Sequence, residues 1–244
     1  FLRTIDRAKE NWGGIEDYTA DLRELARGKM SDEAFADVKD SLHFTAEKLA
    51  GLKRVSGEPA TEHSYRAVRD AMLAGVFDPI DLSTIALHDV WEDNPDLKQK
   101  GIYSVWHKKT KVDITARFGE EKARRLMALT KPRPDPDGEE IETQEEGDEM
   151  AVRSLLACPQ AAFDKIYDRS DNVETLDAMP EEDQIKTIKE TIAYIRRIFM
   201  DKKVRAVNPR AWKISMRKLV TAMEPYTQRY TFIQIPDDIL ALKN

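Results

Sequence analysis

Leu82, Ile85, Ala86, Leu87, Val90 and Trp91 recur at the three- and four-residue steps of a helix face. Set into that apolar run are His88, Asp89, Glu92 and Asp93. Residues four apart stack on one side of a helix, so His88 lies under Glu92 and Asp89 under Asp93. One imidazole and three carboxylates then occupy two adjacent stripes of an otherwise apolar rod. A buried carboxylate without a partner is costly. Either the helix end surfaces and these charges are solvated, or neighbouring helices close around it and supply a cation or a proton relay.

The rest of the chain offers helices to do so. Residues 1–30 are predicted amphipathic and helical, broken at Trp12-Gly13-Gly14. Ser31 is an N-cap, followed by Phe35, Val38, Leu42, Ala46 and Leu49 as a buried face, with Gly51 as a stop. His43 beside that face is a packing or surface histidine. Lys53-Arg54-Val55-Ser56-Gly57-Glu58-Pro59 is a turn opened by a basic pair. A helix begins at His63, with Tyr65, Val68, Met72 and Val76 on one side, and Asp78-Pro79 breaks it. Asn94-Pro95 ends the His88 helix. Residues 96–112 are a polar, lysine-rich excursion that includes His107. Helix follows from Ile114 to Leu129, interrupted at Phe118-Gly119.

Lys131 to Asp148, with three prolines and dense Asp and Glu, is predicted to be a loop. Helix returns over Met150–Ala157 and again from Gln160. In the second of these, Asp168, Asn172 and Thr175 fall at i, i+4 and i+7 on one face. A long helix runs from Pro180 to Met200 on the stripe Ile185, Ile188, Ile192, Ile195 and Phe199. Another runs from Ala211 to Met223, and Tyr230–Ile235 reads as a short β-like segment. The expected fold is all-α, a helical bundle with a short irregular or β-like C-terminal tail. Its expected parts are an N-terminal helical extension (1–30), a main domain (31–200), and a C-terminal helical extension and tail (201–244).

A hydrophobic content of 41% and a charged content of 34% describe a globular protein with a heavily charged surface. The net charge of −6 argues against non-specific nucleic-acid binding, while a local basic pocket would suffice for a small anion. Cys158 is the single cysteine, which excludes an internal disulfide and a Cys-based zinc finger and fits a reducing cytoplasm. No apolar run approaches the roughly 20 residues of a membrane span, and no signal-peptide pattern is present. The chain begins at Phe1 rather than Met, which leaves room for residues upstream.

His63, His88, Asp89 and Asp168 are the candidate metal ligands. Two imidazoles and two carboxylates make a mixed N/O set suited to Mn²⁺ or a similar divalent ion. Such a set drawn from several helices is how a bundle builds a core metal site. A carboxylate one turn from a ligand, as Glu92 is from His88, can reach a water there as a general base must.

The order His63…His88-Asp89…Asp168 resembles the HD-superfamily phosphohydrolases. Lys53-Arg54-x-Ser-Gly-Glu-Pro59 is similar to the opening motif of the hydrolase domain of RelA/SpoT-type alarmone enzymes. Leu87-His-Asp-x-x-Glu-Asp93, Phe118-Gly119, and Lys165-Ile-Tyr-Asp-Arg-x-x-Asn172-x-x-Thr175-Leu176 resemble its later motifs. The likeness runs from about residue 44 to 200, with no room for the synthetase domain of the long members, so the chain resembles the small alarmone hydrolases.

The resemblance implies a Mn²⁺-dependent 3′-pyrophosphohydrolase of guanosine 3′,5′-bis-pyrophosphate and its pentaphosphate form. On that likeness His63, His88, Asp89 and Asp168 hold the metal, and Glu92 and Asp93 orient or deprotonate the attacking water. Arg54 contacts the base with Lys53 near phosphate, and Asn172 and Thr175 contact the ribose and 3′-pyrophosphate. The chain departs from the pattern at Val55, where a second cation is usual, at Ala60, where a tyrosine is usual, and at Ser170-Asp171 before the asparagine. Two alternatives stand beside this expectation. One is an HD-type phosphohydrolase acting on an adenosine alarmone, NADPH or a nucleoside monophosphate. The other is a non-catalytic alarmone- or protein-binding module.

Overall fold

The computed structural model describes residues 14–93, 112–131 and 143–243, with residues 91–93 and 144 described by their backbone alone. The helices in chain order are α1 (Ile15–Ala26), α2 (Asp32–Lys48), α3 (Ala60–Ala74), α4 (Pro79–Asp93), α5 (112–118), α6 (Glu120–Leu129), α7 (Gln144–Ala157), α8 (Pro159–Glu174), α9 (Glu181–Tyr194), α10 (Lys202–Val207), α11 (Pro209–Arg229) and α12 (Asp237–Leu240). Short 3₁₀ turns follow α8 and α12, and a π-helical segment, Ile195–Phe199, continues α9. Among the described residues there is no strand, only an isolated bridge between Lys53 and Pro59. The fold is all-α, as expected.

The helix ends follow from local chemistry. The Ser31 side chain accepts from the Ala34 amide at 3.1 Å, the predicted cap of α2. The Asp78 carboxylate accepts from the Ile80 and Asp81 amides at 2.8 and 3.1 Å and starts α4. Gly75, with φ 99°, ends α3 in the left-handed conformation that glycine adopts without strain.

Two expectations are corrected. Residues 143–148 are not loop: Thr143 and Glu146 form a reciprocal capping box that starts α7 at Gln144. Tyr230–Ile235 is irregular rather than β-like and leads into α12. Residues 132–142, and the excursion up to residue 111 with His107, lie outside the described residues.

The helix that carries His88 is the middle of the bundle. α4 packs against α2, α3, α6 and α8, and Leu82, Ile85, Ala86, Leu87 and Val90 are all buried. The Thr45 hydroxyl donates to the Ala86 carbonyl at 2.8 Å and ties α2 to it. The apolar side of α8 (Phe163, Ile166, Tyr167) is buried as well, and α11 closes over α8 and α3. The dilemma set by α4 is thus resolved at His88 in favour of burial. Other helices close around it, and His88 and His63 are both enclosed. Among the described residues no helix is long and apolar enough to cross a membrane.

Candidate metal centre

α3 contributes His63, α4 contributes His88 and Asp89, and α8 contributes Asp168. One ligating atom from each lies within 4.8 Å of all the others. The two imidazole Nε2 atoms are 3.0 Å apart. Asp168 Oδ1 lies 3.1 Å from His63 Nε2 and 3.3 Å from His88 Nε2. Asp89 Oδ1 lies 3.0 Å from His88 Nε2, and its Oδ2 lies 3.6 Å from His63 Nε2.

The far side of each ring assigns its tautomer. His88 Nδ1 is 2.6 Å from the Ile85 carbonyl oxygen, and His63 Nδ1 is 2.7 Å from Asp171 Oδ2. Both partners are acceptors, so both Nδ1 atoms carry the proton and donate it. In the neutral rings both Nε2 atoms then present lone pairs to each other and to two carboxylates. Four acceptor functions converging in a buried space repel one another unless a positive charge sits among them. The donor set suits a divalent cation held by imidazole and carboxylate.

The titration behaviour agrees. Burial works against the imidazolium forms of His63 and His88, yet neighbouring carboxylates, Asp89 first, outweigh it and raise both rings above the ordinary histidine value. Burial likewise works against the Asp168 carboxylate, but Lys165, His63 and His88 hold it well below the usual range. The space between these groups attracts positive charge.

A supporting layer holds the ligands in place. Asp171, fully buried, accepts from His63 and also from Arg66, whose Nε and Nη2 donate to its Oδ1 and Oδ2 at 2.5 and 2.9 Å. Glu58 grips the other edge of the same guanidinium at 2.6 and 3.1 Å. Lys165 Nζ lies 2.9 Å from Asp168 Oδ2, and Asn172 Nδ2 donates to Asp168 Oδ1 at 2.8 Å. Ligating histidines in metal sites are commonly oriented by such a carboxylate on the far nitrogen. None of Glu58, Arg66, Lys165 and Asp171 was a predicted site residue. Arg66 stands one turn after His63 and Asp171 one turn after Asp168, a spacing that solvated helix charges also show.

Arg54 Nη2 donates to Asn172 Oδ1 at 2.7 Å, which joins the metal cluster to a cavity of about 210 Å³. The turn before α3 places this arginine: the Arg54 amide donates to the Glu58 carbonyl at 2.9 Å, and Gly57, at φ 85°, closes the turn onto the Arg54 carbonyl. Arg54, Arg169, Asn172, Thr175, Leu176 and Met179 line the cavity. Of the residues expected to bind substrate, Arg54, Asn172 and Thr175 are brought together there. Lys53 is exposed and is not part of the cavity wall. Glu92 and Asp93 stand in the last turn of α4, and their side chains lie outside the described residues. His43 is a partly exposed residue 3.5 Å from Glu16, away from the cluster. A scan of the chain against protein-family models finds no match.

Proposed function

We propose that the chain is a metal-dependent phosphohydrolase of the HD type, using Mn²⁺ to remove the 3′-pyrophosphate of guanosine 3′,5′-bis-pyrophosphate and its pentaphosphate form. The observation that carries the reading is the convergence of two imidazole Nε2 atoms and two carboxylates beside a cavity lined in part by Arg54 and Arg169. His63, His88, Asp89 and Asp168 would hold the ion. The chemistry it supplies when bound is a water ligand of lowered pKa and polarisation of a phosphoryl oxygen. Asp171, Asn172 and Lys165 keep the ligands aimed. Glu92, one turn beyond His88, is the proton acceptor of the proposal, with Asp93 beside it orienting the water. Arg54 contacts the base, while Asn172 and Thr175 hold the ribose end next to Asp168. Burial of His63 and His88 keeps bulk water from competing for the ion.

Val55 favours a second reading, hydrolysis of a different nucleotide such as an adenosine alarmone, NADPH or a nucleoside monophosphate. It stands where the resembling family offers a cation, lines the cavity, and is 65% exposed. The experiment is product identification from a panel of purified nucleotides with Mn²⁺, run beside His63→Ala and Asp168→Ala. Release of pyrophosphate from the 3′ position, with metal and activity lost together in both variants, is the expected result. Wild-type metal content in either variant overturns the ligand assignment, and cleavage of only a 5′-monophosphate or NADPH replaces the first reading with the second.

A further inference from the structure

Arg169 sits on α8 next to Asp168, yet its guanidinium turns away from the cluster, towards Glu190 and Tyr194. Its guanidinium lies 4.5 Å from the centroid of the Tyr194 ring and lines the cavity. Both Nη atoms reach the same oxygen, Glu190 Oε2, at 3.4 Å each, the outer edge of hydrogen-bonding distance. Its Nε is buried and has no hydrogen-bond partner among the described residues. A guanidinium has five N–H donors, so a largely buried one whose Nε is unpartnered, and which meets Glu190 only at 3.4 Å beside a hydrogen bond to the Tyr194 side chain, is under-satisfied. Arg54, by contrast, is already engaged at 2.7 Å with Asn172. The lining of the cavity contains two guanidiniums and no carboxylate.

Arg169 and Asn172 stand at i and i+3 on one side of α8, and Leu176 follows in the 3₁₀ turn after it; all three line the cavity. Asn172 donates in turn to Asp168. A ligand that reaches Arg169 along this side of α8 therefore passes Asn172, and through it the metal ligands. We propose that Arg169 is a second anion-binding residue of the cavity, holding a phosphate of the substrate other than the one presented to the metal ligands. The ligand class is a nucleoside phosphorylated at two separate positions. Glu190 serves as the stand-in acceptor that such a phosphate displaces. The inference rests on the reading of this cavity as the substrate site of the proposed hydrolase.

The test compares guanosine 3′,5′-bisphosphate with guanosine 3′-monophosphate, neither of which carries a pyrophosphate to be cleaved, by calorimetric titration of the Mn²⁺-loaded protein. Wild type is expected to prefer the bisphosphate by about tenfold to a hundredfold, the worth of a charge-assisted hydrogen bond. Arg169→Gln should abolish that preference while keeping its affinity for the 3′-monophosphate. Glu190→Gln should widen the preference, because the competing acceptor has lost its charge. A structural role for Arg169 predicts the opposite pattern: both probes weakened equally in Arg169→Gln, or the preference unmoved by Glu190→Gln, and either result overturns the proposal. If Arg169→Gln does not fold, Glu190→Gln decides alone, widening in favour and an unchanged or narrower preference against. Preference for the bisphosphate without cleavage of any 3′-pyrophosphate would remove the hydrolase reading and leave the anion site standing.

Discussion

Asp171→Asn tests whether the supporting layer is part of the metal centre or ordinary buried packing. The substitution keeps shape and keeps an oxygen for His63 Nδ1, now 2.7 Å from the carboxylate. It removes the negative charge that makes the imidazole a better electron donor, and it leaves Arg66 with Glu58 as its only bidentate partner. Loss of an outer partner of a ligating histidine typically weakens metal binding about 10- to 100-fold, which is about 1.4–2.7 kcal/mol. The same change should cost stability, on the order of 1–3 kcal/mol, because the partly buried Arg66 is left partly uncompensated. The two effects are separated by measuring Mn²⁺ affinity by chelator competition on folded protein and urea unfolding in the presence of EDTA. Affinity within twofold of wild type would refute the assignment of Asp171 as a ligand-positioning group, however large the loss of stability.

Glu92→Gln should retain bound metal and nucleotide while kcat falls by roughly 10²–10⁴, the range for loss of a general base; near-normal turnover moves that role to Asp93 or to the metal alone. Asp164 supplies a pH prediction independent of the metal. Burial, and the Asp81 carboxylate after it, push the Asp164 pKa well above the ordinary aspartate value, and neither oxygen has a hydrogen-bond partner among the described residues. An acid whose folded pKa is raised binds its proton more tightly in the folded state, so stability falls as pH rises from about 3.9 towards the raised value. Asp164→Asn should therefore match wild type near pH 4 and exceed it at neutral pH, by about 1–3 kcal/mol in urea unfolding; a variant that becomes relatively weaker as pH rises would refute the reasoning.

The helices were legible because their apolar stripes are long and their caps chemically explicit. Ser31, Asp78-Pro79, and Ile185 through Phe199 each carry a signal at fixed spacing. The start of α7 was hidden because Thr143 and Glu146 lie in an acidic, proline-bearing stretch where composition suggests loop, and the capping box is a two-residue signal. Tyr230–Ile235 has β-forming residues but finds no neighbouring strand among the described residues, so it has nothing to pair with. At the centre, the four residues that could hold a metal were gathered from sequence because two histidines, one of them in a His-Asp pair, stand inside apolar helices, at an order and spacing shared with a known pattern. Arg66, Glu58 and Asp171 were not, because a charge that turns inward to a partner 105 positions away reads in sequence like one that turns to water.

The limit of sequence reasoning is plainest in two aspartates on one stripe of α8. Asp164 and Asp168 are four residues apart, face the interior and are both buried. Asp164 meets Arg125 Nη1 only at 3.8 Å, because that nitrogen is already hydrogen-bonded to Asp81, and burial drives it towards the neutral acid. Asp168 meets Lys165, Asn172 and both imidazoles at 2.8–3.3 Å, and is held as the anion. One turn of helix separates a carboxyl that avoids charge from one held as an anion among groups that could bind a cation. The difference lies in what α3, α4 and α6 bring opposite each position and in Lys165 and Asn172 of α8 itself, which flank Asp168. Pairs of like groups pushed in opposite directions by their surroundings are a mark of functional sites. Here the contrast points to Asp168, rather than its equally buried neighbour, as the carboxylate of α8 available to a metal.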